Sequence, residues 1–257
     1  MRRVMRFRIM LAVLWPVLFL MIAATAEAQM SAQKPAVYTY VAQWSVPRAQ
    51  WGDMAKMQQG SAALLDRLVS DGTLESYGLY ETAVHEPKGP THGNWFQASS
   101  MAGIFKALDA LQGNTTSNAQ LLGSGPHEDL LLVSRDYDTH SGSFKNSILR
   151  GISVEVKPGM EQQFHDAFDR IIRPVLEKLT ANGAVHAWSY HNEWIVKNPG
   201  MVTIVFIANG PEGLDRYIAA INELFDKNPD AVGPLIAATE PGSRRDFLLR
   251  VTAMRQK

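Results

Sequence analysis

Hydrophobic residues from position 37 onward recur with two different periods, which together predict a chain of alternating strands and helices. Val37 to Val41 is a run of β-branched and aromatic residues with polar alternation, which is typical of a strand. The segment up to about Ser70 carries apolar residues three and four positions apart, as an amphipathic helix does. Asp71-Gly72 is a helix stop signal. Two more strands, a second helix and a fourth strand from Asp129 complete the series.

The same series of elements is predicted again in the second half of the chain. Ile152 to Val156 has the pattern of a strand, and Pro158-Gly159 begins an amphipathic helix. Asn182-Gly183 ends that helix, and the last strand begins at Asp246. Because element order, lengths and stop signals agree between the two series, we predict an internal duplication.

Each predicted copy has the order β-α-β-β-α-β, which is the ferredoxin-like arrangement. Two helices then cover one face of a four-stranded antiparallel sheet, and the other face needs a partner. We predict copies at residues 29–135 and 146–257, joined by a Ser-, Asp- and Gly-rich linker at 136–145. The α+β fold expected is an intrachain α+β barrel in which the two sheets face each other. The alternative is two separate units that each pair with another chain.

Residues 1–28 have the pattern of a secretory signal peptide. Four arginines and no acidic residue occupy the first eight positions, and an apolar run extends from Ile9 to about Ala24. Ala26-Glu27-Ala28 supplies small residues on both sides of a cleavage site. We predict cleavage after Ala28 and export to the periplasm or the medium. An uncleaved anchor is the alternative, because the run is about as long as the shortest spanning helices.

Charge and composition narrow the classes of partner. The chain has 25 basic and 25 acidic residues, and loss of the signal leaves 21 basic and 24 acidic residues. This balance argues against nucleic acid and against electrostatic docking on anionic lipid, since both need a concentrated basic surface. The chain has no cysteine, which excludes disulfides, thiolate metal sites and a cysteine nucleophile.

One motif resembles a known family. Val154-Glu155-Val156-Lys157-Pro158-Gly159-Met160, followed by Phe164 and Phe168, is similar to the strand, K-P-G and helix opening of the dimeric α+β barrel superfamily, particularly its NIPSNAP-like members. The first half has Val46-Pro47-Arg48-Ala49 at the corresponding place. The resemblance implies the fold, and the superfamily includes cofactor-free monooxygenases, haem-handling enzymes and muconolactone-isomerase-like enzymes. A haem is therefore allowed, with His165 as a ligand candidate, although we expect no cofactor and no metal.

The second strand of each copy carries the candidate site. Aligning the stop signals places two polar and three aromatic residues on one face of these strands, because strand side chains alternate: Glu75, Tyr77, His186, Trp188 and Tyr190. The opposite face carries smaller residues, which we expect beneath the helices. We therefore predict that the five residues line the space between the sheets. The alternative is that the aromatic residues simply fill the barrel.

Three functions are compatible with this pattern. The first is binding of a small apolar or aromatic ligand by Tyr77, Trp188 and Tyr190. The second is a metal-free barrel enzyme, of monooxygenase or isomerase type, in which His186 and Glu75 act as acid and base. The third is a protein-interaction module. We expect a monomer or a homodimer, because duplication already supplies each sheet with a partner.

Overall fold

The predicted elements of the first half form in the predicted order in the computed structural model, which describes residues 34–87, 89–114 and 118–257. The predicted signal peptide lies outside the described residues. The first-half elements are β1 Val37–Trp44, α1 Trp51–Ser70, β2 Ser76–Thr82, β3 His92–Ala98, α2 Met101–Gln112, α3 Ala119–Leu122 and β4 His127–Thr139.

The second half has the same order of elements, with its first helical segment divided into two helices and a short extra strand at its start. Its elements are β5 Gly142–Phe144, β6 Ser147–Glu155, α4 Glu161–Ile171, α5 Arg173–Ala181, β7 Val185–Glu193, β8 Met201–Ala208, α6 Gly210–Lys227, α7 Gly233–Ala238 and β9 Arg245–Gln256. The predicted stops are confirmed, because α1 ends before Asp71 and α5 ends before Asn182. Gly72 and Gly183 follow with φ angles of 79° and 75°, a region that glycine adopts without a steric cost.

The strands close into one antiparallel barrel of eight strands. The order around the wall is β2-β3-β1-β4-β7-β8-β6-β9, and β9 pairs with β2 to complete the circle. The short strand β5 extends the wall beside the C-terminal end of β9. Both halves therefore contribute to one continuous wall, and the prediction of an intrachain α+β barrel is confirmed.

The segment expected to be a linker is part of this wall. Asp136 to Thr139 form the end of β4 and pair with β7, and β5 lies between residues 142 and 144. The two halves of the wall meet where β4 pairs with β7, so residues at the junction take part in the strand-to-strand hydrogen bonds. A polar, Gly-containing segment thus takes strand structure here.

Apolar side chains fill two kinds of layer. On the outer face of the wall, α1 and α2 pack over the first half, and α4, α5 and α6 pack over the second half. Inside the barrel, side chains from both halves meet in a single cluster: Tyr80, Trp95, Leu149, Ala187, Ile207, Leu249, Val251 and Met254. Among the described residues, no helix is long and apolar enough to cross a membrane.

Glycines and aromatic rings complement each other on the inner wall. Val41, Trp95, Gly78 and Met254 stand opposite one another on four adjacent strands. The ring of Trp95 covers Gly78 so closely that a Cβ on Gly78 would overlap it. Phe247 covers Gly151 in the same way. A missing side chain on one strand thus makes room for a large ring on its neighbour.

Candidate functional site

The inner and outer faces of β2 and β7 are the reverse of the prediction. Tyr77 packs in the cluster beneath α1 and α2, and Trp188 and Tyr190 pack in the cluster beneath α4 and α5. The space between the sheets is instead lined by the face that carries Tyr80 and Ala187. The prediction was wrong because the layers beneath the helices hold large aromatic rings, whereas the inner wall accommodates a large ring only beside a glycine.

Tyr77 has a structural partner on the helix above it. Its hydroxyl donates a hydrogen bond of 2.9 Å to the carboxylate of Asp66 on α1. Burial is the main cause that raises the pKa of the Tyr77 phenol, and Asp66 adds to it. The bond ties β2 to α1, and it occupies the polar end of a side chain that was expected to face a ligand.

Trp188 and Tyr190 lie beside a group of four charged residues: Asp136, His165, Asp169 and Arg173. His165 Nε2 lies 2.9 Å from the Asp136 carboxylate, and Arg173 donates to the same carboxylate at 2.7 Å. The hydrogen bond with His165 and the charge of Arg173 lower the pKa of Asp136 to about 2. The bond with Asp136 in turn raises the pKa of His165. The guanidinium of Arg173 lies 5.5 Å from the Trp188 ring.

This charged group joins β4 to α4 and α5. Arg173 and His165 each face both carboxylates, since Arg173 also pairs with Asp169 and His165 Nδ1 lies 3.7 Å from Asp169. A haem ligand would need a free ring nitrogen directed at the iron, and both nitrogens of His165 face carboxylates. Among the described residues, no group of three or more histidine, aspartate or glutamate side chains is arranged to hold a metal ion.

His186 and Glu75 are not joined to each other by any hydrogen bond or ion pair recorded for the described part of the chain. His186 lies at a bulge between Val185 and Ala187, and its ring stacks on Phe144 with 3.9 Å between the ring centroids. Burial lowers the pKa of His186. Glu75 is partly exposed and lies 3.8 Å from the ammonium of Lys257. The acid–base pair predicted from the sequence therefore has no geometric support.

The barrel interior holds a different histidine. Ala187 packs in the interior cluster, and the regular pairing of β7 with β8 from Ala187 to Asn192 places Ser189 and His191 on the same face. His191 is 3% exposed. Its Nε2 lies 2.7 Å from the Ser189 hydroxyl, and its Nδ1 has no hydrogen-bond partner among the described residues. A buried polar atom without a partner is unusual and calls for an explanation.

The surroundings of His191 keep its imidazole neutral. Burial lowers the pKa of His191 to about 4, so the ring carries no charge near neutral pH. The neighbouring polar groups on this face are hydroxyls, because Thr203 pairs with His191 and Thr203 Oγ1 lies 2.9 Å from Ser153 Oγ. On the edge of β7 that pairs with β4, residues Ser134 and Arg135 of β4 form a bulge opposite His191. Bulges of this kind are common next to active sites.

His191 lies near one end of the barrel. Glu193 is the last residue of β7, so His191 is about two residues, or roughly 7 Å, from the strand end. The aromatic rings of Tyr80 and Trp95 belong to the interior cluster farther along the wall. A neutral imidazole with one free nitrogen and an aromatic lining suits proton transfer to or from an apolar aromatic molecule.

Sequence reasoning missed His191 because it assigned that face to the layer beneath the helices. The usable signal was the alternation of small and polar residues, Ala187, Ser189 and His191, opposite the large aromatic residues of the same strand. Gly78 on β2 was a second signal, because a glycine inside a strand often marks the close approach of another group.

Comparison with known proteins identifies the fold. No protein-family profile and no curated protein sequence matches the chain. A candidate monooxygenase from Lactobacillus acidophilus is similar in structure, with a TM-score of 0.64 and 10% identity over 86% of this chain and 96% of that one. A candidate monooxygenase from Fusobacterium nucleatum has a TM-score of 0.65 and 9% identity over 87% and 95%. An anthrone oxidase-like protein has a TM-score of 0.55 and 13% identity over 88% and 95%.

These similarities support an α+β barrel as the fold of this chain. Identities of 9 to 13% carry no residue roles across, so the chemistry of this chain has to be argued from its own side chains.

Proposed function

We propose that this protein is a metal-free barrel enzyme in which His191 removes a proton from an aromatic substrate that is then oxidised by dioxygen. The observation that carries the proposal is the buried, unpartnered Nδ1 of His191 inside a barrel with an aromatic lining. The similarity to candidate monooxygenases and to an anthrone oxidase-like protein supports the choice of reaction.

The state of the imidazole determines the chemistry. When Nε2 carries the proton and donates a hydrogen bond to Ser189 Oγ, the unpartnered Nδ1 keeps a free lone pair. Burial keeps the pKa of His191 low, so this lone pair stays available near neutral pH. The substrate must then be a carbon or oxygen acid whose anion is delocalised over an aromatic system, because a weakly basic imidazole removes only an acidic proton.

Anthrone is a suitable probe, since its methylene group gives such an anion. His191 accepts a methylene proton, the carbanion transfers electrons to dioxygen, and a new carbon–oxygen bond forms. The resulting peroxide anion takes the proton back from His191, and the hydroperoxide so formed loses water to give anthraquinone. One molecule each of anthrone and dioxygen thus yields one anthraquinone and one water, with the substrate oxidised and dioxygen reduced.

His191→Gln is expected to lower kcat for anthrone oxidation by about 100-fold, the contribution usual for a general base. Oxygen uptake and anthraquinone absorbance measure the rate. His140→Gln is the control, because His140 is exposed and should keep wild-type activity. Thermal unfolding of each variant checks that the barrel is intact. Full activity in His191→Gln would disprove the role of His191.

The second candidate is a ligand-binding protein without catalysis. It is favoured by the same aromatic interior, which suits a small apolar molecule whether or not it reacts. Anthrone binding without oxygen uptake in the wild-type protein would support this function over the enzyme.

We also propose that the N-terminal 28 residues are an export signal that is cleaved from the mature protein. Purification of the expressed protein from the periplasm of a bacterial host should give a chain that begins at Gln29 by N-terminal sequencing. A chain that begins at Met1 in the membrane fraction would show an uncleaved anchor instead.

We also propose that the chain arose by duplication of one ancestral unit, with copies at 29–135 and 146–257. A further proposal is that it belongs to the NIPSNAP-like proteins. Membership rests on Lys157-Pro158-Gly159 before α4, where Gly159 has a φ of 80°.

A further inference from the structure

A row of four polar side chains crosses the inner wall of the barrel. Thr39 pairs with Gln97, Gln97 pairs with Ser76, and Ser76 pairs with Gln256, so the row runs directly across β1, β3, β2 and β9. Thr39 and Gln97 lie two positions from Val41 and Trp95, which pack in the interior cluster. The polar row therefore faces the barrel interior.

Hydrogen bonds in the polar row run in one direction. Ser76 Oγ donates to Gln97 Oε1 at 2.7 Å, and Gln97 Nε2 donates to Thr39 Oγ1 at 3.0 Å. Gln256 stands at the other end of the row and is 8% exposed. Its Oε1 is buried and has no hydrogen-bond partner among the described residues. The polar row thus ends in one free acceptor.

An apolar layer lies next to the polar row. Val41, Trp95, Gly78 and Met254 occupy the positions two residues farther along the same four strands, and Phe144 pairs with Met254. An aromatic molecule against this layer would satisfy Gln256 only if it carried a hydrogen-bond donor. An aromatic molecule without a donor would leave the buried oxygen unpaired and would gain no hydrogen bond there, so it should bind more weakly.

We propose that the polar row determines ligand specificity, with Gln256 Oε1 accepting a hydrogen bond from a hydroxyl group on the aromatic ligand. The proposal rests on the proposed function for the presence of an aromatic ligand in the barrel. The positioning residue that it adds is Gln256 on β9, whereas His191 lies on β7. Gln256 acts on binding and orientation, and it takes no part in proton transfer.

The experiment compares two ligands that differ in one hydrogen-bond donor. 2-Naphthol and 2-methoxynaphthalene have the same aromatic core, but only 2-naphthol donates a hydrogen bond. Isothermal titration calorimetry with the full protein, carried out without dioxygen, gives a Kd for each ligand without any turnover. The wild-type protein is expected to bind 2-naphthol about tenfold more tightly, the effect of one hydrogen bond to a buried acceptor.

Three variants identify the source of the preference. Gln256→Met keeps the side-chain length without an acceptor and should reduce the preference to less than twofold. Gln256→Glu keeps an acceptor and should retain it, which separates lost recognition from lost folding. Gln59→Met is the control, because Gln59 is exposed on α1.

A tenfold preference that survives in Gln256→Met would overturn the proposal, as would equal binding of both ligands, or no binding, by the wild-type protein. His191→Gln should keep the preference. A failure of anthrone oxidation is therefore distinguishable from a failure of hydroxyl recognition.

Discussion

Gly78→Ala is expected to lower the free energy of unfolding by about 3 kcal/mol, the upper end of the usual cost of overpacking a core. A Cβ at this position would overlap the six-membered ring of Trp95. Neither partner has room to move, because Trp95 is buried in the interior cluster and Gly78 is paired on both sides, with β3 and β9. The strain must then displace the wall or the ring.

Urea unfolding measures this loss, and Gly52→Ala is the matched control. Gly52 lies in α1 with no atom within 4 Å of an added Cβ, so its replacement should be neutral or slightly stabilising. Combining Gly78→Ala with Trp95→Leu should recover part of the loss, since the two side chains occupy the same space. Equal unfolding free energies for Gly78→Ala and Gly52→Ala would show that the packing of the Trp95 ring does not require a glycine at position 78.

The succession of strands and helices could be predicted from local pattern alone. Apolar spacing defined α1, and Asp71-Gly72 and Asn182-Gly183 defined helix ends, because these signals act over a few residues. The barrel followed from one further argument, that the open faces of two ferredoxin-like sheets need to be covered. Local signals and simple burial therefore reached the fold class.

Which face of β2 and of β7 points into the barrel could not be predicted in the same way. Whether Tyr77 or Gly78 faces inward depends on which ring the neighbouring strand places beside it, and Trp95 is 17 positions away in sequence. Register between strands distant in sequence is a tertiary property. The same limit hid His191, whose free nitrogen became visible only once β7 and β8 were paired. It also hid the polar row, which combines four strands from both ends of the chain.

His191 should make the protein sensitive to mild acid. Its pKa is about 4 in the folded protein, against about 6.5 for an ordinary histidine in an unfolded chain. Between these values the unfolded chain binds a proton that the folded chain does not, so acid favours unfolding. The free energy of unfolding should be unaffected by this group above pH 6.5 and should fall by ~3 kcal/mol as the pH drops to about 4.

The pH dependence of urea unfolding in the wild-type protein and in His191→Gln isolates this effect. His92 and His186 have lowered pKa values and act in the same direction, whereas the raised pKa of His165 opposes them. These groups remain in both proteins, so the difference between the two curves reports His191 alone. The curves should be parallel above pH 6.5 and should diverge below it, with the variant losing less stability. Curves that stay parallel down to pH 4 would mean that His191 takes up its proton in the folded barrel, and an imidazolium there would have no lone pair for removing a proton from a substrate.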